Sequence, residues 1–252
     1  MVMRLQASRS SGALTVSFAA VFTAFVAAAT MIFSIYVPVT RGYFNIGETM
    51  VYTTALLFGP LIGATAGGIG SMIADLLLGY SFYAPGTLVI KAIEGAIVGY
   101  LGRRLYRTKT NVDWKFVSVF VAFAVAAMVI AIGSRYYSGT TEVSIGFPGA
   151  TQMTLVLEVP LAFWILIAAL IFVLIASIGF SRDPQFSLLV LAVLAGGSEM
   201  VLGYFLYEAA ALSLGWAALA EVPFNVGQVM VGLLVSIPLV RAVRKRIPSL
   251  QG

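Results

Sequence analysis

Long apolar runs separated by short polar breaks dominate the sequence. A helix that spans a membrane needs about 20 apolar residues, because each residue adds about 1.5 Å to its length. The runs predict eight apolar helical segments, at residues 13–37, 47–58, 61–79, 86–103, 116–136, 157–180, 186–210 and 222–240. The second segment is short for a span, because Gly59 and Pro60 end it. A short membrane helix needs protein or a water-lined cavity around its free backbone groups.

Composition supports an all-α integral membrane protein. The chain is 60% hydrophobic and 10% charged, with a mean hydropathy of +1.00. It contains no cysteine and no histidine, which excludes disulfides, thiolate or imidazole metal sites and catalysis by Cys or His. The first apolar run is too long for a signal-peptide core, so we interpret it as a retained span. We expect no metal, no cofactor and no catalytic residues.

Positive charge predicts the orientation. With both termini in the cytoplasm, 12 of the 15 Lys and Arg residues fall on the cytoplasmic side, as the positive-inside rule requires. They are Arg4, Arg9, Arg103, Arg104, Arg107, Lys109, Lys115, Arg182, Arg241, Arg244, Lys245 and Arg246. Arg41, Lys91 and Arg135 remain at or near the outer face. The net charge of +5 therefore reflects topology, and no nucleic-acid partner is expected.

Seven ionisable residues fall inside the predicted spans. They are Glu48, Asp75, Lys91, Glu94, Glu199, Glu208 and Glu221. Each costs at least about 2.5–3.5 kcal/mol on insertion, so each is a functional candidate. Lys91 and Glu94 are three residues apart on one helix face, which predicts either a structural ion pair or a ligand contact. Asp75 either bonds to a neighbouring helix or contacts a ligand.

Polar side chains recur on one face of the eighth segment, at Glu221, Asn225 and Gln228. This stripe indicates either an internal polar site or hydrogen bonds between helices. Carboxamides pair with the donors and acceptors of a heterocyclic ring. On the first segment, Ala20, Ala24 and Ala28 are spaced by four, which favours close approach of another helix.

Two regions resemble the S components of energy-coupling-factor (ECF) transporters. The first is FNIGETMVYTTALLFGPLIGATAGGIGSMIADLLLGYSFYAPGTLVIKAIEGAIVGYLGRRL, and the second is EVPFNVGQVMVGLLVSIPLVRAVRK, preceded by GYFLYE. The resemblance implies a six-helix core from residues 13–107 and 190–246. Residues 110–183 have no counterpart in that pattern and are predicted to be an inserted helical hairpin, which gives about eight spans.

The resemblance implies that the chain binds a vitamin or vitamin precursor at the outer side. A T subunit and two ABC-type ATPases would supply the energy, and Ala20, Ala24 and Ala28 match the family's contact with the T subunit. The implied pocket contains the loop after the first helix and the outer parts of the last helices. The candidate site residues are Asn45, Glu48, Tyr83, Lys91, Glu199, Tyr204, Asn225 and Gln228, together with Phe44 and Gly47.

Three functions compete at this point. A binding subunit of an importer agrees with the lack of a phosphate-cradling GxxxxGK[ST] sequence. A self-sufficient secondary transporter or channel would use Asp75, Glu94 and Glu199 as an ion relay, but no convincing inverted repeat is present. An intramembrane aspartate protease would need two facing aspartates, and Asp75 is the single Asp within a span. The outer tyrosines suit a flat heterocycle; pyrimidine, thiazole and pyridine vitamin precursors all qualify.

Overall fold

A computed structural model describes residues 2–106, 114–145, 153–180 and 184–247. All eight predicted segments form helices within these ranges, which confirms the all-α membrane fold. The helices are α1 (Val2–Ile32), α2 (Glu48–Phe58), α3 (Pro60–Leu78), α4 (Ala84–Tyr106), α5 (Trp114–Tyr137), α6 (Leu161–Gly179), α7 (Pro184–Leu206) and α8 (Val222–Arg246). A π-helical turn, Tyr207–Ala211, and a 3₁₀ helix, Gly215–Glu221, connect α7 to α8.

The helices differ in whether they are long enough to cross a membrane. In the part of the chain that the structure describes, six helical stretches are long and apolar enough to cross a membrane, and Leu161–Ser177 is a shorter apolar helix. With its 11 residues, α2 is roughly 16 Å long, about half of the hydrocarbon thickness. The sequence therefore predicted correctly that the second segment is too short to span. Arg107, Lys109 and Arg182 lie outside the described residues.

A small antiparallel sheet at one end of the bundle was not predicted. Its strands are β1 (Ser34–Val37), β2 (Gly42–Asn45), β3 (Gly139–Ile145) and β4 (Met153–Val159), in the order β2-β1-β3-β4. The first and sixth segments were therefore predicted too long, since part of each belongs to a strand. The β-branched and aromatic residues of β1 form a hairpin with β2, and Arg41 makes its turn with φ of 60°.

The break between α2 and α3 is fixed at the opposite end of the bundle. Gly59 has φ of 81°, a conformation that favours glycine, and Pro60 begins α3. Arg103 of α4 donates to the Phe58 carbonyl at 2.6 Å, and Arg244 of α8 donates to the Leu56 carbonyl at 2.6 Å. These arginines satisfy carbonyls that the helix end leaves free, and they hold α2, α4 and α8 together on the predicted cytoplasmic side.

The helix order in the bundle positions the site. Neighbouring helices α3 and α4 pack closely: a Cβ added at Gly63 would lie 2.7 Å from the Gly95 carbonyl oxygen. On its other side α4 packs against α7, and α2 packs against α8. The α5–α6 hairpin packs mainly on itself and reaches the other helices through α7, α8 and the 3₁₀ helix. Within the predicted insertion, residues 110–113, 146–152 and 181–183 lie outside the described ranges.

Candidate ligand-binding site

A polar cavity, here called the central cavity, lies beneath the β1–β2 hairpin. Residues from five helices, the hairpin and the 3₁₀ helix surround it. Its volume is about 30 Å³, and it is lined by Thr30, Gly42, Tyr43, Asn45, Ser71, Asp75, Tyr83, Thr87, Lys91, Tyr204, Glu221, Asn225 and Gln228. Residues 34–45, which cover the cavity from the outer side, are called the lid. A polar cavity within an apolar bundle indicates a site for a polar or amphipathic ligand.

One wall of the cavity includes Tyr43, which stacks on Tyr80 behind it. Tyr43 of β2 and Tyr80 have ring centroids 4.4 Å apart with 24° between the ring planes. The Tyr43 hydroxyl donates to Asp75 Oδ1 at 2.6 Å. Burial and the neighbouring Asp75 carboxylate raise the pKa of Tyr43 well above its usual value. The hydroxyl therefore stays protonated at neutral pH and ties the lid to α3.

A buried charged cluster adjoins the cavity at Lys91. Lys91 Nζ forms ion pairs with Glu48, the first residue of α2, and with Glu94 Oε2 at 3.1 Å. Tyr52 donates to Glu94 Oε1 at 2.7 Å. The ion pair predicted between Lys91 and Glu94 is present. Lys91 also lines the cavity, and its Nζ lies 5.5 Å from the centre of the Tyr204 ring, so it is positioned for a ligand contact as well.

Two carboxamides on α8 face the cavity together. Gln228 Nε2 donates to Asn225 Oδ1 at 2.9 Å, and both residues are buried. Among the described residues, no donor reaches the buried Gln228 Oε1. An unpaired buried oxygen costs about 1–3 kcal/mol. A ligand that donates a hydrogen bond would remove this cost.

Hydrogen bonds close the outer end of the cavity. Thr40 in the lid donates its hydroxyl hydrogen to Glu221, and Tyr83 donates to the Thr40 carbonyl at 3.1 Å. The Tyr204 hydroxyl donates to Thr87 at 3.0 Å, which links α7 to α4. The lid is therefore held by Tyr83, just before α4, and by Glu221 of the 3₁₀ helix before α8. Access to the cavity from outside requires these bonds to open.

The structure brings together most of the candidate site residues. Asn45, Tyr83, Lys91, Tyr204, Asn225 and Gln228 line the cavity. Glu48 lies behind the lining and contacts Lys91. Glu199 is half-buried on α7 and is not a lining residue. Phe44 and Gly47 adjoin Asn45 in sequence but are not lining residues either.

Several lining residues were outside the candidate set. They are Thr30, Gly42, Tyr43, Ser71, Asp75, Thr87 and Glu221. Asp75 and Glu221 gave a sequence signal as ionisable residues within spans. The threonine and serine residues gave no sequence signal, because hydroxyl side chains in membrane helices usually donate to the backbone of their own helix. Thr30 does so, with its hydroxyl 2.8 Å from the Val26 carbonyl oxygen.

The three alanines of α1 lie apart from the cavity. Ala20, Ala24 and Ala28 are all exposed. No helix of the described chain covers them, so this face is free for contact with lipid or with another protein.

The first half of the chain is similar to a known family of membrane proteins. A sequence model described as "ECF-type riboflavin transporter, S component" matches residues 12–151, more than half of the chain. The chain belongs to this S-component family. The match covers α1 to α5 and the first three strands, so it includes the lid and the charged cluster. Three candidate site residues of this S component, Tyr204, Asn225 and Gln228, lie beyond the matched segment.

One curated relative is also similar to this S component. An uncharacterized protein from Pyrococcus woesei, described as lying in a "gap 3'region", is 49% identical over 74 residues. These residues are 29% of the chain, and the chain spans about half (49%) of that relative's length. No solved structure shows a significant match to the chain.

Proposed function

We propose that this S component binds a flat, hydrogen-bonding heterocycle in the central cavity and delivers it to an ATP-driven importer. The observation that supports this most is the cavity itself, where phenols, carboxamides and a charged cluster meet beneath an outer lid. Such groups are costly inside a membrane unless they are satisfied. Tyrosine faces and amide edges together suit stacking and in-plane hydrogen bonds to one aromatic ring system.

Riboflavin is the first substrate to test. The name of the matching family includes it, and its ring system has donors and acceptors along one edge and a large flat face. Gln228 Oε1 would accept from a ring N–H, and Asn225 would offer a second amide edge beside it. Pyrimidine, thiazole and pyridine precursors share this chemistry and form the comparison set.

The volume of the cavity requires a lid movement before any such ligand binds. At about 30 Å³ it has room for about one water molecule, whereas ligand pockets usually measure about 300–1,000 Å³. The cavity must therefore expand to admit a vitamin. The β1–β2 lid is the covering element that can move without breaking a transmembrane helix.

Energy coupling is assigned to partner proteins. The sequence has no phosphate-cradling GxxxxGK[ST] motif, so ATP hydrolysis belongs to two separate ABC-type ATPase subunits. The exposed alanine face of α1 at Ala20, Ala24 and Ala28 is proposed to pack on the T subunit, because small side chains let two helix backbones approach closely.

The deciding experiment combines ligand identification with binding. The detergent-purified protein is denatured, and the released small molecules are identified by mass spectrometry. Purified chain is then titrated with riboflavin, whose fluorescence reports binding. We expect one vitamin-like heterocycle per chain and saturable binding of the same compound. Absence of any stoichiometric heterocycle, together with no binding of riboflavin or the three precursor types, would contradict the proposal.

The buried cluster of Lys91, Glu48 and Glu94 favours a second candidate function. Paired charges within spans also occur along ion pathways of secondary transporters. Uptake in vesicles that contain the chain alone separates the two functions. Uptake driven by an ion gradient without ATPase subunits would support the secondary transporter, and uptake that needs ATP and the partner subunits would support the binding subunit.

A further inference from the structure

A second cavity, here called the side cavity, separates the α5–α6 hairpin from α7 and α8. Its volume is about 350 Å³, more than ten times that of the central cavity. Three helical stripes face it, from Val121 to Ile132 on α5, from Leu194 to Phe205 on α7 and from Leu219 to Met230 along the 3₁₀ helix and α8. Each stripe covers 12 residues, and the first and last are roughly 16 Å apart along the helix axis.

An aliphatic hydrocarbon chain is the ligand that suits the lining of this cavity. Of the described residues that line it, Ser198 has the one polar side chain. A water molecule in a cavity needs about 2–4 polar partners, which this lining does not provide. An unfilled apolar space of this size would leave the lining atoms without van der Waals partners. An aliphatic chain satisfies both conditions.

The side cavity lies mainly toward the outer side of the bundle, although Val121 on α5 and Ile175 near the end of α6 extend it inward. The lining residues of α7 lie in its outer half, and those of α8 lie at its outer start. A length of roughly 16 Å equals about half of the hydrocarbon core. Two lining residues, Ser198 and Leu202, are exposed, so the cavity opens sideways toward lipid. A lipid tail of the outer leaflet therefore has both the length and the route to enter.

Two exposed residues, Arg135 and Trp216, lie near the outer end of the side cavity. Arg135 is exposed and follows the lining residue Ile132 by one turn of α5. Among the side chains that the structure describes, no acidic group forms an ion pair with Arg135. Trp216 is 77% exposed, and its ring centroid lies 6.4 Å from that of the lining residue Phe205. Arginine and tryptophan are the residues that bind lipid headgroups at the membrane surface.

The two sides of the mouth are joined to each other. The hydroxyl of Tyr136, which is next to Arg135, donates to the Trp216 carbonyl at 3.2 Å. The cation on α5 and the indole on the 3₁₀ helix are therefore held beside one opening. We propose that the side cavity binds one tail of an outer-leaflet phospholipid, with Arg135 contacting its phosphate and favouring an anionic headgroup. The lipid then fills the gap between the α5–α6 hairpin and the rest of the bundle.

The test measures which lipids stay bound. The protein is reconstituted in vesicles of equal parts phosphatidylglycerol and phosphatidylcholine with identical tails, extracted in mild detergent and analysed by native mass spectrometry. We expect one retained phospholipid per chain, with phosphatidylglycerol preferred by about 5-fold, the ratio that one basic residue near the membrane surface provides.

Two variants separate tail binding from headgroup binding. Val201→Trp fills the cavity and should release most of the retained lipid, whereas Leu166→Trp, on the exposed face of α6, should not. Arg135→Gln should abolish the headgroup preference, whereas Arg41→Gln, the other exposed outer arginine, should keep it. Arg135→Gln changes an exposed side chain, so it remains decisive if Val201→Trp fails to fold. No lipid retained by the unaltered chain, equal retention in the two Trp variants, or an unchanged preference in Arg135→Gln would overturn the proposal.

Discussion

Tyr36 in β1 lies directly opposite Ser144 in β3, so the lid over the central cavity is paired with the α5–α6 hairpin. Among the described residues, β1 pairs with β3 at two positions and with β2 at four positions. The β3–β4 hairpin pairs at seven positions. Fewer backbone hydrogen bonds make the β1–β3 junction the weakest in the sheet. Opening of the lid should therefore separate β1 from β3.

A disulfide across this junction tests whether the lid opens by separating β1 from β3. The chain has no native cysteine, so the introduced pair forms no disulfide with another residue of the chain. In Tyr36→Cys/Ser144→Cys, oxidation should slow ligand association by at least about tenfold, an increase of about 1.4 kcal/mol in the barrier. Reductant should restore the rate. Stopped-flow fluorescence measures it. The control Thr140→Cys/Glu158→Cys joins opposite residues within the β3–β4 hairpin and should have no effect. Equal rates in both oxidised proteins would mean that the lid opens together with β3.

Asn225→Ala tests whether the α8 carboxamides bind ligand. Loss of the amide leaves a ligand group unpaired and should weaken binding by about 1–3 kcal/mol, roughly 5- to 150-fold. The ligand-free protein also loses the acceptor of Gln228 Nε2, so its melting temperature should fall slightly, while the folded protein shows the full loss of affinity. Ser236→Ala removes another buried polar group of α8 that does not line the cavity and should leave affinity unchanged. Should Asn225→Ala instead lower apo stability while the folded fraction binds normally, the residue only holds helices together.

Lys91→Met tests the charged cluster. Removing the cation leaves Glu48 and Glu94 buried without it, which should destabilise the protein by about 3–5 kcal/mol. Adding Glu48→Gln and Glu94→Gln to the same chain removes the repulsion and should recover most of the loss. Thermal unfolding in detergent gives both values. If the single and triple variants melt at the same temperature, the cluster is not an electrostatic unit.

Ala24→Leu tests the α1 face. A larger side chain at this exposed position should block close packing of the T subunit, so vitamin uptake should fall while binding to the purified chain stays within about twofold. Ala124→Leu, on an exposed position of α5, is the matched control and should leave both activities intact. Equal loss of uptake and binding in Ala24→Leu would assign the alanines to internal packing.

Topology is tested by single cysteines. Cysteines at Ser138 and Ser213, which are exposed at the lid end of the bundle, should react with an impermeant thiol reagent added to intact cells. A cysteine at Thr108, outside the described residues, should react only after the membrane is opened. Labelling at position 108 in intact cells would reverse the predicted orientation.

Sequence alone predicted the helices well because a membrane span needs a long apolar run. It missed the sheet for a related reason. β1 continues the apolar run of α1, and β4 leads into the apolar run of α6. A short apolar strand beside a helix cannot be distinguished from more helix by periodicity. The register between Tyr36 and Ser144 joins residues about 100 positions apart in the chain, which no local pattern encodes.

For the cavity, residues on one helix were predictable and residues from distant elements were not. Asn225 and Gln228 share a face of α8 and stood out in an apolar helix. Tyr43 gave no signal of its own, because its bond to Asp75 depends on how the lid folds over α3. The side cavity gave no sequence signal, because apolar lining residues are indistinguishable from core residues.

The half-length of α2 sets the distance that remains for a bound molecule to travel. Glu48 begins this helix next to the lining residue Lys91, while the carbonyls near its other end are held by Arg103 and Arg244 on the predicted cytoplasmic side. Under the proposed function, a substrate bound against Lys91 would lie about midway through the membrane. The proposed ATP-driven step would then have to move it across the inner half alone, toward the end of α2 where Arg103 and Arg244 lie.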